Sequence, residues 1–183
     1  MVAALTALAA CGNEAAVPTR PAEPPSGLAA LVDVMAQRLL IADTVAAAKW
    51  STGGRIVDLP REHAVLAAAE AESGRRGLDP AQTTAVLQDQ IEASKVVQYG
   101  PFADWTADPA RAPAAASDLD RVRPELDRIT TDLLDQLANT RPLRARGDCA
   151  VTLRRATNDL PATRSLDDLH RKGLVRALRS LCQ

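Results

Sequence analysis

Residues 35–50 read MAQRLLIADTVAAAKW. They continue an apolar stripe through Leu28, Leu31, Met35, Ala42 and Val45, at the three- and four-residue spacing of one helix face. Arg38 and Lys49 fall on the same stripe. Eleven residues at roughly 100° each come within about 20° of three whole turns, so the two cations project from one face about 16 Å apart. A charge on a core-facing seam is costly unless something anionic meets it. The pattern therefore demands either an internal salt bridge or a bound anion.

The rest of the chain extends the helical reading. Its 183 residues suit one domain with a real core, and apolar residues make up 46% against only 2% aromatic. The surplus is Ala and Leu, which favours helix over sheet and predicts an all-α protein. A net charge of -1 and a pI near 6.1 give no broad basic field for nucleic acid or acidic lipid. An anionic ligand must therefore meet a local cluster of cations.

A long first helix is expected from Ser26, its N-cap, to about Trp50, stopping at Gly53 and Gly54. A second opens at Asp58 with Pro60 in its first turn and stops at Gly74; a third opens at Asp79 with Pro80 and breaks at Gly100 and Pro101. Residues 101–116 read as a loop that Phe102 and Trp105 pack onto the body. A fourth helix covers 118–139, with Leu119, Leu126, Leu133 and Leu137 on one side; Pro124 either marks its true start or kinks a longer helix. Two further segments, 149–159 and 164–182, complete a single-domain bundle of about six helices, the last amphipathic through Leu166, Leu169, Leu174, Leu178 and Leu181. There is no internal repeat, Gly-rich phosphate loop or strand of period two, and the RGD at 146–148 is a chance tripeptide. His63 and His170 read as helix-surface residues, and no Cys and His have zinc-ligand spacing, so no metal site is expected.

Residues 1–25 stand apart from the helical domain at 26–183. A short apolar run, too short to span a bilayer, precedes small residues and a Pro-rich stretch, as at the end of a secretory signal. LAAC at Leu8 to Cys11 resembles a bacterial lipobox, in which Cys11 is lipidated after cleavage and attaches the protein to a membrane; plain secretion fits as well. Residues 12–25 then form a disordered tether. In an exported protein Cys149 and Cys182 can oxidise, closing a loop worth about 4 kcal/mol in the chain-entropy account; the alternative is two unpaired buried thiols.

The anomaly of the first helix recurs. Leu87, Ile91, Ser94 and Gln98 share a face of the third helix, putting a hydroxyl and an amide where Leu or Val would sit. In the fourth, Leu119, Arg123, Leu126, Thr130 and Leu133 put a guanidinium on the apolar side, and the turn before the second supplies Asp58, Arg61 and Glu62. Singly, each has a plain explanation: a snorkelling Arg, a tolerated Ser, a solvated Gln, a capping Asp. Together they lie on inward faces of helices that must pack against one another, so they can converge on one pocket.

In RLLIADTVAAAKW, DLPRE and IEASKVVQ the chain resembles the helical chorismate mutases, whose motif is Arg, Lys eleven later, Asp-x-x-Arg-Glu, and Ser or Thr four before Gln or Glu. The export segment, the FADW stretch, Arg123 and the two later cysteines make it similar to the secreted gamma subclass. The resemblance implies a type II chorismate mutase bundle that rearranges chorismate to prephenate without a cofactor, outside the cytoplasm, as a homodimer. It places Arg38, Lys49, Asp58, Arg61, Glu62, Ser94, Gln98 and Arg123 in the pocket. Arg38 and Arg123 would hold the carboxylates, Lys49 and Gln98 would face the ether oxygen, and Ser94 would donate to a carboxylate. Glu62 would accept from the substrate hydroxyl, Asp58 would contribute backbone contact or orient a neighbour, and Arg61 would complete the anion cage. The departures from the family pattern are Pro124 beside Arg123 and a short N-terminus. The rival readings are an isochorismate pyruvate lyase on the same scaffold and a non-catalytic exported helical binding lipoprotein whose charges pair with each other.

Overall fold

The computed structural model describes residues 27–114, 118–160 and 164–182, and among them the regular elements are all helical. The expectations for export and for lipidation at Cys11 lie outside the described residues, and the N-cap of the first helix is Gly27 in place of the expected Ser26. The elements are α1 (Leu28–Leu40), α2 (Ala42–Thr52), α3 (Leu59–Arg75), α4 (Pro80–Ala107), α5 (Leu119–Asn139), α6 (Arg141–Arg144), α7 (Cys149–Asn158) and α8 (Asp168–Ala177), with a 3-10 turn at Pro109–Arg111. None is long and apolar enough to cross a membrane.

The expected single first helix is divided at Ile41, but barely. Ile41 keeps φ -72° and ψ -18°, donates to the Gln37 carbonyl at 3.3 Å and accepts from the Val45 N–H at 3.0 Å. The ladder continues across the joint, so Arg38 and Lys49 still serve the same side. Gly53, at φ +67°, ends α2 in the left-handed conformation that a residue without Cβ adopts freely. Asp58 caps α3 by accepting from the Arg61 N–H at 3.2 Å, and Asp79 caps α4 by accepting from the Gln82 N–H at 2.7 Å.

The break expected at Gly100 and Pro101 does not occur. Pro101 lies inside α4, which runs on to Ala107, so Phe102 and Trp105 are helical residues and not part of a loop. A proline removes one ladder hydrogen bond, and aromatic packing offsets that loss: the Trp50 ring meets Phe102 at 5.3 Å and Trp105 at 5.5 Å, edge-on. Likewise Pro124 does not start α5 but sits within it, behind an Asp118 cap that accepts from the Asp120 N–H at 2.9 Å.

α1 is the centre of the core. Leu31, Val32, Met35 and Leu39 are fully buried against Leu87 of α4, Leu133 and Leu137 of α5, and Leu174 and Leu181 at the C-terminal end. α8 is shorter than the expected 164–182 and lies tightly on α4: a Cβ on Gly173 would come 2.9 Å from Val97 Cγ2. Arg164 reaches Asp33 of α1 with two hydrogen bonds, at 2.7 and 3.1 Å. His63 is exposed as expected, whereas His170 is 4% exposed and corrects the surface assignment. It is in phase with Leu174 and Ala177 and so turns inward, where Nδ1 meets Asp167 at 2.8 Å and Nε2 lies 3.3 Å from Asp43.

Cys149 and Cys182 are joined, with Cα atoms 5.7 Å apart. The bridge ties the turn after α8 to α7. Reduction, or Cys182→Ala, is expected to lower unfolding free energy by up to about 4 kcal/mol, read as a shifted denaturant midpoint with and without reductant. An unmoved midpoint would show that the bridge contributes nothing to stability.

Candidate active site

α1, α2, the first turn of α3, α4 and α5 surround a cleft of about 790 Å³, part of it open to solvent. Arg38, Lys49, Asp58, Arg61, Glu62, Ser94, Gln98 and Arg123 all line it. Val45, Ile56, Val65, Ile91, Leu119 and Leu126 supply apolar wall between them, so the donors work in a partly dry medium where charges interact strongly. Leu119 and Leu126, on the apolar side of α5, belong to this wall.

Arg38 answers the question posed by the first helix. It is 7% exposed, makes no hydrogen bond or ion pair among the described residues, and its buried Nε has no partner. Burial, reinforced by the charge of Arg61 and opposed by Asp127, brings its pKa down to about 10, so it remains a cation at neutral pH. An internal salt bridge is therefore not what this guanidinium is for.

Lys49 donates from Nζ to the Ile56 carbonyl at 2.7 Å. Burial holds its ammonium below the ordinary lysine value, with Asp58 and Glu62 opposing and Lys95 adding to the effect. Glu62 accepts from the Asp58 N–H through Oε1 at 3.3 Å and from Lys95 Nζ through Oε2 at 3.2 Å. On α4 the Gln98 amide donates to Ser94 Oγ at 3.0 Å; Gln98 is 4% exposed and its Oε1 is buried without a partner. One amide proton thus remains free of any bond among the described residues. At the mouth Arg61 pairs with Asp127 at 3.1 Å, and Arg123, half exposed, pairs with Asp120.

Two charged residues escaped the sequence reading. Asp127 lines the cleft one turn beyond Arg123, a placement its i+4 spacing could have signalled. Lys95 stands just behind the lining, bonded to Glu62, and nothing in its spacing set it apart from a surface lysine.

A helical bundle with a partly dry, cation-lined cleft defines an enzyme-type site for a small organic anion. Residues 29–99 match the family described as Chorismate mutase type II. The secreted chorismate mutase of Mycolicibacterium smegmatis is 37% identical over 98% of this chain and 97% of its own length. That of Mycobacterium tuberculosis is 37% identical over 91% and 83%. Among solved structures, the chorismate mutase of Burkholderia thailandensis superposes with a TM-score of 0.79 at 38% identity, covering 85% of this chain and 98% of that one. The chain belongs to the type II chorismate mutase family.

Proposed function

We propose that the cleft binds chorismate and converts it to prephenate by a non-covalent rearrangement. The observation that carries this is Arg38: a charged guanidinium, buried and without an ion-pair partner among the described residues, beside Lys49 and Gln98 in one cleft. Chorismate is a dianion whose carbon–oxygen bond breaks as a carbon–carbon bond forms. The protein's task is to hold the chair-like diaxial conformer and to stabilise the negative charge that builds on the ether oxygen. Arg38 and Arg123 take the two carboxylates, with Ser94 adding a donor and Arg61 closing the cage; guanidinium forks suit carboxylates bidentately. The Lys49 ammonium and the free Gln98 amide proton face the ether oxygen. Glu62 accepts the substrate hydroxyl, and Asp58 keeps the first turn of α3 in place.

Neither donor to the ether oxygen needs to gain a proton near neutrality. Turnover is therefore expected to stay nearly flat between about pH 5 and 8 and to fall on the alkaline side as Lys49 loses its proton. A sharp fall above about pH 6 would contradict the assignment. A dianionic bicyclic mimic of the transition state supplies the counter-charge that Arg38 lacks. At a hundredfold excess over its Kd it should stabilise the fold by about 2.7 kcal/mol, read as a raised thermal midpoint.

The proposal extends to location and assembly. Relatives carry the name secreted chorismate mutase, which supports export of this chain with residues 1–25 as the export segment. Mass spectrometry of the mature N-terminus separates simple cleavage from lipidation at Cys11. The family resemblance supports a homodimer, tested by light scattering. The decisive assay is loss of chorismate absorbance with protein lacking residues 1–20. Release of pyruvate from isochorismate instead would identify a lyase, and no turnover of either would leave a binding protein.

A further inference from the structure

We propose that Lys95 is a positioning residue for this site, holding Glu62 and, through residues 53–58, the Lys49 ammonium in working geometry; the inference rests on the chorismate reading and adds to it a residue outside the cleft lining. Lys95 follows Ser94 on α4, and its Nζ lies 3.2 Å from Glu62 Oε2 and 2.6 Å from Glu92 Oε1. Glu92 is held in turn by Gln88 Nε2 at 2.9 Å. The side chains of Lys95 and Glu62 are 13% and 12% exposed, so their contact is poorly screened and geometrically firm, unlike a surface pair.

The consequence follows from what else Glu62 touches. Its other oxygen accepts from the Asp58 N–H at 3.3 Å, so one oxygen is fixed from α4 and the other from the end of the loop. Two residues earlier in that loop, the Ile56 carbonyl holds Lys49 Nζ at 2.7 Å. A continuous path of contacts therefore runs from Gln88 through Glu92, Lys95 and Glu62 to the loop that carries the Lys49 anchor. Without Lys95, Glu62 keeps a single tether and can turn toward Lys49, whose charge it already attracts. It would then compete with the ether oxygen for the ammonium. Lys95 prevents this by direct bonding, and its own positive charge opposes those of Asp58 and Glu62 at Lys49.

The test is steady-state kinetics on chorismate with the full chain and its Lys95→Met and Lys95→Arg variants, alongside circular dichroism and thermal melts. Lys95→Met is expected to lower kcat about tenfold or more while KM stays within about threefold, because misplacement of a donor to the reacting atoms is felt in the transition state. The alkaline limb of its pH profile should move upward, since Lys49 loses a neighbouring cation and Glu62 is freed to approach it, which a merely structural role would not do. Lys95→Arg should restore most of kcat. A Lys95→Met enzyme within about twofold of wild-type kcat, a loss confined to KM, or an Arg variant no better than Met would overturn the role of Lys95. Should Lys95→Met fail to fold, Glu92→Gln replaces it: removing one anchor of Lys95 should reduce kcat about threefold with KM unmoved, and an unchanged kcat overturns the proposal. A wild-type chain inert on chorismate would instead sink the reading of the site itself.

Discussion

Replacing Lys49 with Ala, or Arg38 with Met, is expected to lower chorismate turnover at least about a hundredfold, or roughly 3 kcal/mol of transition-state stabilisation, while helix content stays intact. The two variants should differ in stability. Arg38 is a buried cation with no partner of its own among the described residues, and its pKa is brought down to about 10. For a base, a lowered native pKa means that carrying the proton costs folding free energy. That cost is present in full below about pH 10 and fades as pH rises toward the ordinary guanidinium value. At neutral pH the unliganded protein bears all of it, so a Met of similar length should leave the thermal midpoint unchanged or raise it. Lys49 has a carbonyl partner in Ile56 and should show no such gain. Circular dichroism and melting curves check this; collapse of the fold in either variant would reassign the residue to a structural salt bridge.

Gln98→Glu is expected to turn a flat pH profile into a steep one. Near pH 7.5 an ionised carboxylate would repel the charge growing on the ether oxygen, and turnover should fall at least about a hundredfold. Below about pH 5 the side chain regains a proton and can donate again, so activity should recover as pH drops. Burial at this position works in the same direction, because it raises a carboxyl pKa and widens the acidic window. A Gln98→Glu enzyme whose profile parallels that of the wild type would show that this amide does not face the reacting oxygen.

Part of the candidate site was legible in the sequence because Arg38, Lys49, Ser94, Gln98 and Arg123 each break a periodic pattern. Arg38 and Lys49 interrupt an apolar stripe at a spacing that only a helix makes coherent, and Ser94 and Gln98 do the same on α4. The helix starts were equally readable at Asp58 and Asp79, where a capping carboxylate is followed by a proline in the first turn. Errors gathered where a local breaker met a tertiary contact. Pro101 should have ended α4, but the rings of Trp50, Phe102 and Trp105 close around the continuation. His170 reads as a surface residue by spacing, but its ring lies between Asp167 and Asp43. Lys95 carried no periodic anomaly at all, since its partner Glu62 lies 33 positions away on another helix.

By itself the sequence determined that the chain is helical, where most of its helices begin, and which polar side chains occupy inward faces, since these depend on periodicity and capping within a few turns of one segment. Whether Arg38 would meet an internal carboxylate or open into a cleft was decided only by the tertiary structure. That outcome depends on how α1, α3, α4 and α5 pack, and on Asp127 pairing with Arg61 and Lys95 with Glu62 and Glu92, while among the described residues no carboxylate forms an ion pair with Arg38. Desolvation and ion pairing are properties of distances between segments, and a spacing along one chain does not contain them.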